Sequence, residues 1–241
     1  MKKTNLAIVA FAATALTACG LQGTDSEEEK QPRTETQAQT SQPEGYDDPR
    51  EAGKAEARLV DGKVELKLPD GVTAEMMGDR TGKMLAVQVM LDHTAHAPGV
   101  IDGFGGGNTD SAIRYYREAN GMSADGGVDE ELLQALFEET SGDVFRTYTV
   151  TEKDAKGPFE PLPEEFADMA EMDALGYESP AEMLAERFHM DKEFLEALNP
   201  DADFGKAGTK LVIVSHGNEK VPGDIAKLEV RKGEGRLVAF D

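Results

Sequence analysis

The chain of 241 residues contains a single cysteine, Cys19, and only 25 basic side chains against 47 acidic ones. One cysteine cannot form a disulfide bond within the chain. The net charge of -22 excludes the positive surface that nucleic-acid binding needs, and it argues against attachment to anionic lipids through basic patches. We therefore interpret most of the acidic side chains as a solvated face that keeps the protein soluble.

Internal repeats are absent, and after the N-terminal segment no stretch is apolar enough to cross a bilayer as a helix. The N-terminal segment has Lys2 and Lys3, followed by an apolar run over residues 6–16. That run is too short for a membrane-spanning helix and is typical of an export signal. We predict a signal peptide over residues 1–18.

The signal ends in Leu-Thr-Ala-Cys, and this motif resembles the lipobox of bacterial lipoproteins. The resemblance implies cleavage before Cys19 and acylation of its thiol, with more than one lipid chain giving a firm anchor. Gly20 follows the cysteine where Asp would favour retention in the inner membrane, which implies a periplasmic protein anchored to the outer membrane. The alternative is an ordinary secretory signal with a chance cysteine.

Large apolar residues are nearly missing from residues 19–57, which are rich in Glu, Gln, Thr, Ser and Pro. Such a segment cannot bury enough surface to offset the entropy of ordering, so it is predicted to be a disordered acidic tether. Residues 58–81 are predicted to form a hairpin and a linker, because Asp61-Gly62 is a type I′ turn signal between alternating apolar residues.

Residues 82–140 show the spacing of three helices. The first carries apolar residues and Gln88 at helical intervals from Met84 to Ala95, and Pro98-Gly99 ends it. A glycine-rich loop follows, and Asn108 or Thr109 is a good N-cap for the second helix. Asp129 is the predicted N-cap of the third.

The middle of this region resembles the small three-helix peptidoglycan-binding domain of bacterial cell-wall enzymes. The resemblance rests on an ordered set of residues: Gly99-Val100-Ile101-Asp102-Gly103, Gly106, Asn108-Thr109, Ala112-Ile113, Tyr116 and Asn120-Gly121. It implies that the wall polymer is the binding partner. It also implies that the glycan or its stem peptide lies in a shallow groove beside the loop.

Five residues are candidate peptidoglycan contacts: Asp102, Asn108, Thr109, Arg114 and Tyr115. For the first three, the alternative role is to form the turn and cap the second helix, which the resemblance favours. Arg114 and Tyr115 are expected on the outer face of that helix, where the alternative is plain surface.

A second unit is predicted over residues 146–215, with a proline-punctuated insertion over residues 158–176. Ser179-Pro180 and Asp191 start two short helices, and a strand follows Gly208. This βααβ order resembles a divergent LysM (lysin motif) domain, which implies binding of N-acetylglucosamine-containing glycans. The Gly-Asp-Thr expected after the first strand is missing, so the unit has an alternative role as a spacer.

A final hairpin is predicted over residues 224–241. The whole order of elements resembles the front, non-catalytic half of Gram-negative L,D-transpeptidases. Their active site requires Ser/Thr-His-Gly-x-Cys, with a cysteine thiolate as nucleophile. Here Ser215-His216-Gly217 imitates the start of that motif, but Glu219 occupies the cysteine position. We predict no catalytic residue and no enzyme activity in the chain as given.

Metal and cofactor sites are not expected. Asp92, His93 and His96 have metal-like spacing at a helix end, but lone helix histidines are more often surface or capping groups.

These observations predict a mainly α protein with small β elements, of the α+β class. We expect a membrane-anchored periplasmic lipoprotein that binds peptidoglycan and looks like the wall-targeting front of an L,D-transpeptidase. Two alternatives stay open: a fragment of a complete L,D-transpeptidase, and an acidic adaptor that recruits other wall enzymes.

Overall fold

The computed structural model describes residues 56–172, 174–217, 224–233 and 236–240. The predicted signal peptide, Cys19, nearly all of the predicted tether and Glu219 lie outside these residues. Helices and short antiparallel strand pairs make up the described part, as expected for the α+β class. None of the helices in the described ranges has the length and apolar character needed to cross a bilayer.

The predicted first hairpin is present as β1 (Ala57–Val60) and β2 (Lys63–Leu66). Asp61 has a φ of 48° and Gly62 a φ of 73°, which is the pair of positive values that a type I′ turn requires. Ala57, the last residue of the predicted tether, is instead buried as the first residue of β1. A single-turn helix, α1 (Ala74–Met77), follows.

Helix α2 (Gly82–Asp92) is the central helix, and residues 85–91 are all buried. Thr81 caps its first turn by accepting a hydrogen bond from the N–H of Met84 at 3.2 Å. The helix ends before Ala95, the last residue predicted for it, because Thr94 closes the final turn. Both the N–H and the hydroxyl of Thr94 donate to the carbonyl of Leu91, at 2.9 and 2.7 Å.

Helices α3 (Gly107–Ala119) and α4 (Glu130–Glu139) pack against α2. The predicted cap of α4 is confirmed, since Asp129 Oδ1 accepts from the N–H of Leu132 at 2.9 Å. The apolar faces of both helices point into the core. Their buried residues include Ala112, Ile113, Tyr116, Leu132, Leu133 and Leu136.

A buried arginine that we did not predict fastens the loop between α3 and α4. Arg117 is 1% exposed, and its guanidinium bonds to Asp129 and Glu131 at 2.7 Å each and to the carbonyl of Ser123. A Cβ atom on Gly126 would collide with this guanidinium. The loop therefore needs glycine at that position for close approach.

Replacing Arg117 tests whether these contacts stabilise the loop between α3 and α4. We expect Arg117→Met to lower the free energy of unfolding by about 2 kcal/mol, because the Ser123 carbonyl loses its donor while both exposed carboxylates stay hydrated. Urea unfolding measures the change, and Arg58→Met on an exposed strand is the control, expected within about 0.5 kcal/mol of wild type. A loss as small as that of the control would show that the Arg117 contacts contribute nothing to the free energy of unfolding.

The second unit pairs β3 (Phe145–Thr149) with β4 (Lys210–Val214), antiparallel from Phe145↔Val214 to Thr149↔Lys210. Between them lie α5 (Glu152–Lys156), α6 (Phe166–Met169), α7 (Pro180–Arg187) and α8 (Lys192–Leu198). The predicted strand, helix, helix, strand order is present, and α5 is an additional turn of helix that the sequence did not predict.

The predicted helix starts in this unit hold with one difference. Ser179 Oγ accepts from the N–H of Glu182 at 3.2 Å, and Asp191 Oδ1 accepts from the N–H of Phe194 at 2.8 Å. The capping box at Ser179 is only half formed, because the Glu182 carboxylate accepts from the N–H of Glu178 instead of that of Ser179.

A buried carboxylate holds α5 against α7. Asp154 is 2% exposed and accepts hydrogen bonds from the Tyr148 hydroxyl at 2.6 Å, the Thr151 N–H at 2.9 Å and the Thr151 hydroxyl at 2.8 Å. Its other oxygen pairs with Arg187 at 2.7 Å. Both oxygens of the carboxylate thus accept from a donor, as burial of a charge demands.

One continuous apolar core joins the three-helix region to the second unit. Leu85 and Leu132 belong to the same buried cluster as Phe188, Phe194 and Ile213. The last pair, β5 (Lys227–Arg231) and β6 (Arg236–Phe240), forms the predicted hairpin with the register Lys227↔Phe240.

Candidate functional site

The Gln88 side chain makes five hydrogen bonds that hold the glycine-rich loop between α2 and α3. Its Nε2 donates to Asp102 Oδ1 at 2.8 Å, to the Phe104 carbonyl at 3.0 Å and to Thr109 Oγ1 at 3.2 Å. Its Oε1 accepts from the N–H groups of Asp102 at 3.2 Å and Gly103 at 2.7 Å. A single side chain that is 1% exposed therefore ties both ends of the loop to the central helix.

Asp102 acts inside this network. Its Oδ1 also accepts from the N–H of Phe104 at 2.9 Å, which closes a short turn. Gly103, inside that turn, has a φ of 76°, and a Cβ atom there would approach Arg80 Cβ to 2.9 Å. These contacts give Asp102 a role in forming the turn, the role that the resemblance favours.

The predicted cap of α3 is wrong. The helix begins at Gly107 with Gly106 as N-cap, so Asn108 and Thr109 lie in its first turn. Thr109 is 3% exposed, and its hydroxyl accepts from Gln88 instead of capping the helix. Among the described residues, no side chain caps the first-turn N–H groups of α3. Asn108 is exposed, and its side-chain amide makes no hydrogen bond to any described residue.

These residues line a groove with a volume of about 290 Å³. Its walls come from α2, from the glycine-rich connection between α2 and α3, and from the first turn of α3. The lining residues are Gln88, Pro98, Val100, Asp102, Phe104, Gly105, Gly106, Gly107, Asn108 and Thr109. Three of the five predicted site residues, Asp102, Asn108 and Thr109, thus meet at one place.

The second unit supports the groove from behind. The N–H of Ile101 donates to the His189 carbonyl at 2.7 Å, and the N–H of Asp191 donates to the Ile101 carbonyl at 3.1 Å. Arg80 Nε donates to the Asp102 carbonyl at 2.8 Å, and Arg80 also pairs with Asp191 at 3.6 Å. The loop is therefore held between α2 and the turn that joins α7 to α8.

Arg114 and Tyr115 lie away from this groove. Arg114 Nη2 donates to the Tyr115 hydroxyl at 2.6 Å, and the guanidinium lies over the Tyr115 ring at 4.9 Å. Arg114 lines a separate cleft of about 300 Å³ between α3 and the α3–α4 loop, with Asp110 and Asp125 among its walls. The structure does not bring the five predicted contacts into one site.

The histidines meet where α2 ends against the second unit. His189 Nδ1 lies 2.9 Å from Asp92 Oδ2, and the N–H of Gly217 donates to the same oxygen at 2.7 Å. The His189 and His216 rings are 5.3 Å apart, and His93 Nε2 lies 2.7 Å from the Ser215 carbonyl. The triplet Ser215-His216-Gly217 thus contacts the end of α2 and His189.

Asp92, His216 and His96 have shifted pKa values. Burial would raise the pKa of Asp92, but hydrogen bonds from His189 and Gly217 bring it below its ordinary 3.8. Burial lowers the pKa of His216 below its ordinary 6.5, helped by His189 and Arg146 and opposed by Asp92 and the Gly217 carbonyl. His96, half-buried beside Tyr116, has its pKa lowered by its partial burial as well, opposed by Glu139.

A pH dependence of stability follows for His216. The pKa of His216 is lower in the folded than in the unfolded protein. Its contribution to stability is therefore fully present above about pH 6.5 and is lost as the pH falls through the folded pKa. We expect the thermal midpoint of wild type to fall more between pH 7.5 and pH 5 than that of His216→Gln. Calorimetry at both pH values measures this, and parallel losses in the two proteins would contradict the assignment.

No group of three His, Cys, Asp or Glu residues in the described ranges is arranged to hold a metal ion. His93 and His96 are directed at Ser215 and Tyr116, not at each other.

Residues 81–136 match the family model of the putative peptidoglycan binding domain. The match begins at the N-cap of α2 and ends within α4, so it contains the whole glycine-rich loop and groove. None of the curated proteins matches the chain. Residues 81–136 therefore form a domain of the peptidoglycan-binding type.

Sequence reasoning missed Gln88 and Arg80 as parts of the site. Gln88 was counted among the residues of an apolar helix face, and its polarity in that face was the signal that could have identified it. Arg80 lies just before the matched segment, and nothing in the local sequence indicates that it reaches the loop.

Proposed function

We propose that this protein attaches to peptidoglycan through the groove beside its glycine-rich loop. The observation that carries the proposal is a set of solvent-exposed polar groups in the groove that no side chain of the described residues engages. The Asn108 amide makes no hydrogen bond to any described residue, and the first-turn N–H groups of α3 have no side-chain cap. The three successive glycines before Asn108 let a polymer strand approach the backbone closely.

The compartment and anchor are part of the same proposal. The lipobox-like motif at Cys19 supports a lipoprotein held at the outer membrane and facing the periplasm, where the wall lies. The tether predicted to precede β1 would let the domain reach the polymer. Intact mass spectrometry of the native protein tests the lipid, since acylation of Cys19 adds the mass of the chains.

The relation to the front part of L,D-transpeptidases is proposed from the order of elements. The βααβ unit after the binding domain and the β5–β6 hairpin after it support that relation. In this proposal the chain supplies wall targeting without a nucleophile, since the triplet at Ser215 has Glu219 in the cysteine position. Acyl transfer by this chain itself would contradict it.

Sedimentation with purified sacculi (isolated wall sheets) tests the binding function. A matched pair of variants locates the site, because a Cβ atom on Gly106 or on Gly176 meets nothing within 4 Å. Gly106→Leu fills the groove, whereas Gly176→Leu lies on the exposed insertion. We expect wild type and Gly176→Leu to pellet with the sacculi and Gly106→Leu to remain in solution. Failure of wild type to pellet would overturn the proposal.

A further inference from the structure

Phe104 presents an exposed aromatic ring at the rim of the groove. It is 42% exposed although it is a large apolar residue, and it lines the groove together with Val100, which is 56% exposed. Exposed apolar side chains that cluster beside polar groups are typical of a binding surface.

The ring is held in place from one side. The Arg80 guanidinium lies 5.1 Å from the centre of the Phe104 ring and 4.5 Å from the centre of the Phe194 ring, so it is stacked between the two. Arg80 is itself fixed by the Asp102 carbonyl at 2.8 Å and by Asp191 at 3.6 Å. One face of Phe104 is therefore covered by a cation, while the residue as a whole stays 42% exposed.

The charge of the groove favours a neutral ligand. None of its ten lining residues, all within the described part of the chain, is a lysine or arginine. Its one ionisable group is Asp102, whose Oδ1 is already bonded to Gln88 and to the Phe104 N–H. A stem peptide carries carboxylates, and the nearest cation, Arg80 behind Phe104, is already paired with Asp191 at 3.6 Å. The net charge of -22 also disfavours an acidic ligand.

We infer that the groove takes a neutral N-acetylhexosamine unit of the glycan strand, with the C–H face of the sugar ring stacked on the exposed ring of Phe104. An aromatic face carries partial negative charge and attracts the weakly positive C–H groups of a pyranose. The N-acetyl amide then lies within the polar part of the groove, where the Asn108 amide offers both a donor and an acceptor. Arg80 and Asp191 are positioning residues for the ring.

This inference rests on the proposed function and names the part of the polymer that is recognised. The probes are chitotetraose, a neutral oligomer of N-acetylglucosamine, and a free stem tetrapeptide. Each is titrated into the full chain labelled with ¹⁵N. We expect chitotetraose to shift the amide signals of Gly105, Gly106 and Asn108, and the stem peptide to leave them unchanged.

Phenylalanine variants give a matched control. Phe104→Ala is expected to weaken chitotetraose binding roughly three- to tenfold, the range of a lost aromatic contact. Phe104→Tyr keeps the ring and is expected to bind as wild type. Phe166→Ala removes a ring that is 86% exposed on α6, outside the groove, and is expected to change nothing.

The outcomes separate this inference from the proposed function. If the protein pellets with sacculi but Phe104→Ala binds chitotetraose as wild type does, the stacking inference is overturned and wall binding stands. The same holds if the stem peptide alone shifts the groove signals. If the protein does not pellet with sacculi, the proposed function itself fails.

Discussion

Gln88→Ala is expected to lower the free energy of unfolding by about 3 kcal/mol and to abolish sedimentation with sacculi. The substitution removes five hydrogen bonds between α2 and the glycine-rich loop, and it leaves the buried N–H of Gly103 without its acceptor. The loop would lose the geometry that forms one wall of the groove. Urea unfolding and the sacculus assay measure the two effects.

Two further variants make this prediction specific. Gln134→Ala changes an exposed glutamine on α4 and is expected to stay within about 0.5 kcal/mol of wild type. Gln88→Glu places a carboxylate where Nε2 now lies, 2.8 Å from Asp102 Oδ1. We expect it to be at least as unstable as Gln88→Ala at pH 7 and to recover on acidification, because a protonated carboxyl can donate. If Gln88→Ala were as stable as wild type, the hydrogen bonds of Gln88 would not be what holds the loop.

Asp154→Ala is expected to lower the free energy of unfolding by about 3 kcal/mol, the lower end of the range for breaking a buried ion pair. The Tyr148 hydroxyl and Thr151 lose the carboxylate to which they donate, and Arg187 loses its ion pair at 2.7 Å. We use the lower end because the Arg187 side chain is 32% exposed and can be hydrated. Chemical denaturation of the full chain gives the value.

A double-mutant cycle with Arg187→Met isolates the ion pair. The double variant is expected to be less unstable than the sum of the two single variants, because no unpaired charge remains. Burial would raise the pKa of Asp154, but hydrogen bonds from Tyr148, Thr151 and Arg187 lower it below its ordinary 3.8. Its contribution is therefore present above about pH 3.8 and lost below it. Additive single effects would contradict the coupling.

Much of the fold could be predicted because its boundaries depend on local chemistry. Asp61-Gly62 supplies the positive φ values of its turn without help from distant residues. The caps at Asp129 and Asp191 accept from N–H groups three residues away, so the sequence alone contains both partners. The terminal hairpin follows from alternating apolar residues, which depend only on neighbours in the chain.

The site could be predicted only in part because its contacts are long-range. Gln88 bonds to residues 14 to 21 positions away, and Arg80 reaches a carbonyl 22 positions away. The predicted cap at Asn108 or Thr109 failed for the same reason. Thr109 has a capping side chain, but its hydroxyl accepts from Gln88 of another helix, and the N-cap is Gly106, three residues before Thr109.

The central claim is that wall polymer binds beside the glycine-rich loop, and amide chemical-shift mapping tests it most directly. Soluble peptidoglycan fragments released from sacculi would be titrated into the full chain labelled with ¹⁵N. We predict shifts concentrated at Gly105, Gly106, Gly107 and Asn108 that disappear in Gly106→Leu and persist in Gly176→Leu. Shifts confined to other surfaces, or none at all, would contradict it.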